Sequence, residues 1–174
     1  MVNRNAKSLS GNTKPPIGVR VKFFLLRHYW WALGMVLAGA VSLGLTKNLT
    51  FDSLLPILAA TLSALYFLQK QKLEELKTFR EIFEACNERY REMNEKLDQI
   101  MAITKGSLDE NEQKTLNEYF NLCAEEYLYF SRGYIFPEVW RAWYNGMKYY
   151  LENPRIRKFW DTESSTDSHY GLQF

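Results

Sequence analysis

The chain has 174 residues, of which 47% are hydrophobic, 16% aromatic and 24% charged, and its mean hydropathy of −0.34 matches an ordinary soluble domain. Those totals conceal an asymmetry: residues 1–69 carry seven Lys and Arg against the single acid Asp52, a net of +6, while residues 70–174 carry fifteen bases against nineteen acids, a net of −4. A basic, apolar front joined to an acidic back excludes a nucleic-acid binder with one broad basic face and argues against a single soluble core.

Residues 1–20 read as a basic segment, with Arg4, Lys7, Lys14 and Arg20. Two apolar blocks follow: Tyr29 to Leu45, seventeen residues without a charge, and Leu54 to Leu68, fifteen more. A hydrocarbon core of about 30 Å asks for roughly 20 helical residues, so each block is near the lower limit for spanning and must borrow its flanks. The expectation is a transmembrane hairpin over 21–69, with spans at 23–45 and 50–69, Arg27 snorkelling to the headgroups, and Tyr29, Trp30, Trp31, Tyr66 and Phe67 as interfacial rings. A soluble hairpin buried in a partner is the competing reading.

Loop charges set the orientation. Six bases precede the first block, Lys47 alone lies between the blocks, and Lys70, Lys72, Lys77 and Arg80 follow the second. The positive-inside bias then expects both termini in the cytoplasm and Thr46 to Ser53 outside. A cleaved signal peptide ending near Ala38-Gly39-Ala40 is the rival, with an unusually long basic region. Within the hairpin, Gly34/Ala38, Ala40/Gly44 and Ala60/Ala64 are four apart. Such small-residue pairs let helix backbones approach closely, either within one chain or in self-association, with membrane lipid as the surrounding partner.

The region 70–161 is expected to be a cytoplasmic helical domain of coiled-coil or bundle type, which makes the fold class all-α. Leu76, Phe79, Phe83, Cys86, Tyr90, Met93, Leu97 and Ile100 alternate spacings of three and four. Gly106 stops that helix, and Ser107-Leu108-Asp109-Glu110 has the pattern of a capping box restarting another. Leu116, Tyr119, Phe120, Cys123, Tyr127 and Phe130 mark the next apolar face, which Gly133 ends. Pro137 then opens a segment with Val139, Trp140, Trp143, Met147, Tyr150 and Leu151, Pro154 closes it, and Ile156, Phe159 and Trp160 suit a short last helix. Residues 162–174 hold too little periodic apolar content to predict order. Most of the rings are expected in the core. Trp140, Arg141 and Trp143 are the candidate partner surface, and Arg132, Arg155, Arg157 and Lys158 read as a solvated basic edge.

The sequence holds no sign of catalytic chemistry. Cys86 and Cys123 lie on apolar helix faces and read as reduced core thiols, and His28 and His169 complete no metal site of familiar spacing with them. There is no phosphate-binding glycine loop, no nucleophile elbow and no HExxH. Glu84/Glu88 and Glu125/Glu126 read as helical surface charge. No enzyme activity, cofactor, metal or direct nucleic-acid binding is expected.

The layout of two apolar blocks, a helix with FREIFEACNERY, and then YFNLCAEEYLYFSRGYIFPEVWRAWYNGMKYYLENPRIRKFW resembles a group of small bacterial membrane proteins. The matching positions are Tyr119, Phe120, Glu126, Tyr129, Gly133, Ile135, Trp140, Trp143, Gly146, Asn153, Pro154, Ile156, Phe159 and Trp160, within a likeness covering residues 28–161. Such proteins are similar to two-span transmembrane effectors of phage-defence systems, including those encoded beside retron reverse transcriptases. The resemblance implies a toxin-like effector of the bacterial inner membrane, held quiet by a reverse transcriptase and noncoding RNA complex until a phage is sensed, that then perturbs, permeabilises or depolarises that membrane and causes abortive infection. A passive membrane anchor or scaffold for a cytoplasmic partner is the alternative. The resemblance carries no catalytic residue over.

Overall fold

A computed structural model describes residues 16–47, 51–166 and 168–174, and every regular element among them is a helix. The order is α1 (Ile17–Lys47), α2 (Phe51–Ala102), α3 (Glu110–Ser131), α4 (Pro137–Tyr150) and α5 (Pro154–Glu163), followed by a 3-10 turn at Ser164–Thr166. The expected all-α class is met. Two units divide the chain inside α2, one being Ile17–Thr78 and the other containing Phe79–Phe174. The sequence placed that boundary at residue 69, where the charges begin.

In Ile17–Thr78, α1 and the first part of α2 are tied by an ion pair between Lys22 Nζ and Glu75, at 3.0 Å. Thr61 is buried, and its hydroxyl donates to the Ile57 carbonyl one turn back at 2.7 Å. Among the described residues, no helix is long and apolar enough to cross a membrane. This overturns the expected two-span placement in an inner membrane with both termini cytoplasmic. The helices are long, at 31 and 52 residues, but the apolar blocks Tyr29–Leu45 and Leu54–Leu68 cover only about 26 and about 23 Å against a core of about 30 Å. The turns that would make up the difference in α1 are charged, and one of them holds Lys22 in its pair with Glu75.

The unit containing Phe79–Phe174 is built on the seam read from α2. Cys86, Met93, Leu97 and Ile100 are buried, with Phe79 and Tyr90 packed at the margin of the core. Across from them lie Leu116, Tyr119, Phe120, Cys123 and Phe130 of α3, Trp140, Tyr144, Met147 and Tyr150 of α4, and Ile156 and Trp160 of α5. The capping box opening α3 sits two residues later than the sequence suggested. Asp109 Oδ1 accepts from the Glu112 amide and Glu112 accepts from the Asp109 amide, both at 2.8 Å. Asp109 has the extended backbone that an N-cap requires, and Ser107 instead offers its carbonyl to Arg155. Gly133, at φ 79°, supplies the left-handed turn that ends α3, and its Tyr134 neighbour donates back to the Tyr129 carbonyl at 2.9 Å.

Pro154 begins α5 as its first residue, with Asn153 as N-cap. The Asn153 amide serves two helices. Its Oδ1 accepts from the Arg155 amide at 2.9 Å, and its Nδ2 donates to the carbonyls of Met101 at 3.2 Å and Ile103 at 2.9 Å, where α2 ends. The tail, expected to be flexible, packs instead. His169 and Leu172 are buried, Phe174 stacks on Tyr144 at 5.5 Å and meets Trp160 edge-on at 4.9 Å, and the Tyr144 hydroxyl donates to the Gln173 carbonyl. Phe174 holds the chain end in place because two large rings, Trp160 and Tyr144, receive it.

Candidate functional site

Helical spacing places Tyr119, Cys123, Glu126 and Phe130 on one stripe of α3, and this stripe faces α2 and α4. Glu126 is therefore carried into the interior, at 7% exposure, among aromatic and sulfur groups. Burial pushes its carboxyl up to about 8. The Arg89 guanidinium opposes that rise and the neighbouring Glu125 carboxylate adds to it. Arg89 is already engaged: its Nη1 and Nη2 donate to the two carboxylate oxygens of Glu125 at 2.5 and 3.3 Å. Glu125, one residue away on the helix, stays near the surface. The two adjacent acids thus have different environments and different roles, where the sequence suggested surface charge for both. The stripe Tyr119–Cys123–Glu126–Phe130 was the available signal, because an acid in phase with core residues is not a surface acid.

Glu126 lines a cavity of about 200 Å³ together with Tyr90, Tyr119, Trp143, Gly146 and Tyr150. The hydroxyls of Tyr90 and Tyr150 are 2.8 Å apart, and Tyr150 also reaches Asn94 Oδ1 at 3.5 Å. Burial raises the Tyr150 hydroxyl above its ordinary range, with the Tyr90 hydrogen bond as the next contribution, so Tyr150 is a neutral hydrogen-bonding group. Trp143 stacks on Phe83 at 5.6 Å and 8°, which fixes its ring at the edge of the cavity. At Gly146 an added Cβ would meet nothing within 4 Å, so the α4 wall is open at that point.

The three residues taken as a partner surface separate. Trp140 is fully buried, stacked on Phe130 at 5.1 Å and tilted against Tyr127 at 5.6 Å, and is a core residue. Arg141 is exposed and Trp143 is half-buried in the cavity wall. Pro137 starts α4 just ahead of Trp140 and sets the phase that turns it inward. Arg155 also departs from the solvated edge. It is buried, its Nη2 donates to Glu112 at 2.5 Å and to the Ser107 carbonyl at 2.9 Å, and it clasps the α2–α3 connection. Among the described residues, no group of three or more His, Cys, Asp and Glu is placed to hold a metal. Cys86 and Cys123 are free and buried.

Of the small residues, Gly34, Ala38, Ala60 and Ala64 are exposed on their helices, while Ala40 and Gly44 lie in α1 with their side-chain surroundings outside the described residues. Around them stand large apolar side chains in register. Ile17, Phe24, Trp31 and Ala38 are seven apart along α1, and Ile17, Phe24 and Trp31 are 78%, 62% and 76% exposed. On α2, Leu58, Leu62 and Tyr66 are four apart and exposed, with Leu73 seven further on. Comparison with known proteins returns no matching protein-family model, no matching curated protein and no matching solved structure.

Proposed function

We propose that the chain is a non-enzymatic helical effector of antiphage defence that works by associating with further copies of itself. The association uses the apolar stripes of Ile17–Thr78, and the bundle of Phe79–Phe174 is the body on which a restraining partner acts. The observation that carries the reading is the exposed seven-residue repeat of α1, Ile17–Phe24–Trp31–Ala38, together with the exposed row Leu58–Leu62–Tyr66 of α2. Large apolar side chains left exposed in regular rows suit an interaction site. A heptad repeat is the pattern that another helix of the same kind packs against, and small residues within it allow close approach. The defence setting, with a reverse transcriptase and noncoding RNA as the restraint, rests on the likeness of the Tyr119–Trp160 segment to phage-defence effectors. Most of that segment's motif residues, including Tyr119, Phe120, Ile135, Trp140, Ile156 and Trp160, are core residues, so the likeness concerns the bundle.

The test pairs assembly with phenotype. The full chain and its Leu62→Glu/Tyr66→Glu variant are compared by light scattering and by plating of phage on cells that carry the gene with its neighbours. The expected result is an oligomer and a loss of plaques for the wild type, and both lost in the variant. A wild-type monomer, or a variant that protects equally well, overturns the reading.

A further inference from the structure

The cavity around Glu126 lies wholly within Phe79–Phe174 and is independent of self-association through Ile17–Thr78. Two of its features are otherwise unexplained. Glu126 is more than nine-tenths buried, lines the cavity and makes no hydrogen bond or ion pair with another described residue, while the Arg89 guanidinium that acts on it is held by Glu125. Four rings, Tyr90, Tyr119, Tyr150 and Trp143, share the remaining wall with Asn87, Leu122, Ala142 and Met147 around an opening at Gly146. We propose that this cavity is a binding site for an organic ammonium group, held among these rings and neutralised by the Glu126 carboxylate.

Aromatic rings attract cations through their quadrupoles, most strongly when desolvated, and a carboxylate among them adds a full opposite charge. At roughly 30 Å³ per water, about 200 Å³ holds some six or seven waters, which suits a trimethylammonium head with its first methylenes. A neutral ligand of the same shape would leave the acid without a partner. A divalent metal ion would find one carboxyl where several oxygens are needed.

The groups facing Glu126 are Arg89 and Cys86 from α2 and Tyr119, Cys123 and Glu125 from α3, with Tyr150 of α4 across the cavity. The carboxyl is mostly protonated at neutral pH, so a bound cation releases that proton, and binding tightens as pH rises towards about 8.

The test follows the Trp143 indole resonance of the full chain, assigned with Trp143→Phe, during titration with choline and with its neutral isostere 3,3-dimethylbutan-1-ol. Choline is expected to bind at least about tenfold tighter than the alcohol, and at least about tenfold tighter at pH 8.5 than at pH 6.5. Glu126→Gln should weaken choline by about tenfold or more while leaving the alcohol unchanged. Gly146→Leu, a substitution that favours the helix and fills the opening, should weaken both. A peptide bearing trimethyl-lysine distinguishes the sources: tighter binding than choline makes the ligand a partner's side chain, and equal or weaker binding makes it a free cation. Equal affinity for choline and the alcohol, or choline binding indifferent to both variants, overturns the proposal. So does the absence of any shift with choline at about 100 mM, since binding weaker than that is worth under about 1.4 kcal/mol.

Discussion

Asn153 and Glu126 are the residues whose replacement is most informative. Asn153 caps α5 with its oxygen and satisfies the carbonyls at the end of α2 with its nitrogen, so Asn153→Ala removes both services at once. The expected loss is roughly 2–3 kcal/mol, the sum of an N-cap and a buried hydrogen bond, read as a lower denaturant midpoint at unchanged slope. Glu126 carries a stability that depends on pH. Its carboxyl is raised in the folded chain from 4.5 to about 8, so the folded state holds a proton that the unfolded state has released. The contribution is fully present below about pH 4.5, falls as pH rises, by up to roughly 1.4 kcal/mol per unit, and is lost above about pH 8. Denaturation at several pH values should show that decline in the wild type and a flatter profile in Glu126→Gln. Neither residue stood out as a site in the sequence. Asn153 precedes a proline and reads as loop, and the pairing of Glu126 with Glu125 hides that only one of the two shares the phase of Tyr119 and Cys123.

At the scale of elements, periodicity carried most of the information. The seam Cys86–Met93–Leu97–Ile100 and the faces of α3, α4 and α5 follow the three-and-four spacing of their apolar residues, because each helix has one direction in which to bury them. Spacing did not separate Trp140 from Trp143, three residues apart on α4: one is core and the other a cavity wall, and only the packing of Phe83 and Phe130 distinguishes them. Nor did composition reveal the tail, since the hydrophobic content that holds residues 168–174 is mostly on the receiving side, in Trp160 and Tyr144. Deleting residues 168–174 should therefore cost roughly 3 kcal/mol, about the burial of one leucine and part of one phenylalanine, and lower the melting temperature. If the truncated chain melts with the full chain, Leu172 and Phe174 contribute nothing to the core. The apolar blocks of α1 and α2 were legible as helix. Their reading as membrane spans took in flanking turns whose charges are used elsewhere, as Lys22 is by Glu75.

For the whole molecule, the charge asymmetry between front and back predicts little about association if the contacts are apolar stripes. An oligomer built on Phe24, Trp31, Leu62 and Tyr66 should persist in about 1 M salt, where the screening length is about 3 Å, whereas one built on charge should dissociate. Sedimentation at low and high salt decides between them. The two cysteines give the chain a built-in clock. Cys86 is pushed up to about 12 by burial, with the Glu126 charge adding to it, and complete burial raises Cys123 well above the ordinary thiol range. Both thiols are thus silent towards alkylating reagents while Phe79–Phe174 stays folded. Each molecule that unfolds exposes them to irreversible modification, so pulsed alkylation followed by mass spectrometry would time the opening of the bundle in an unmodified chain, inside the cell as readily as in the tube.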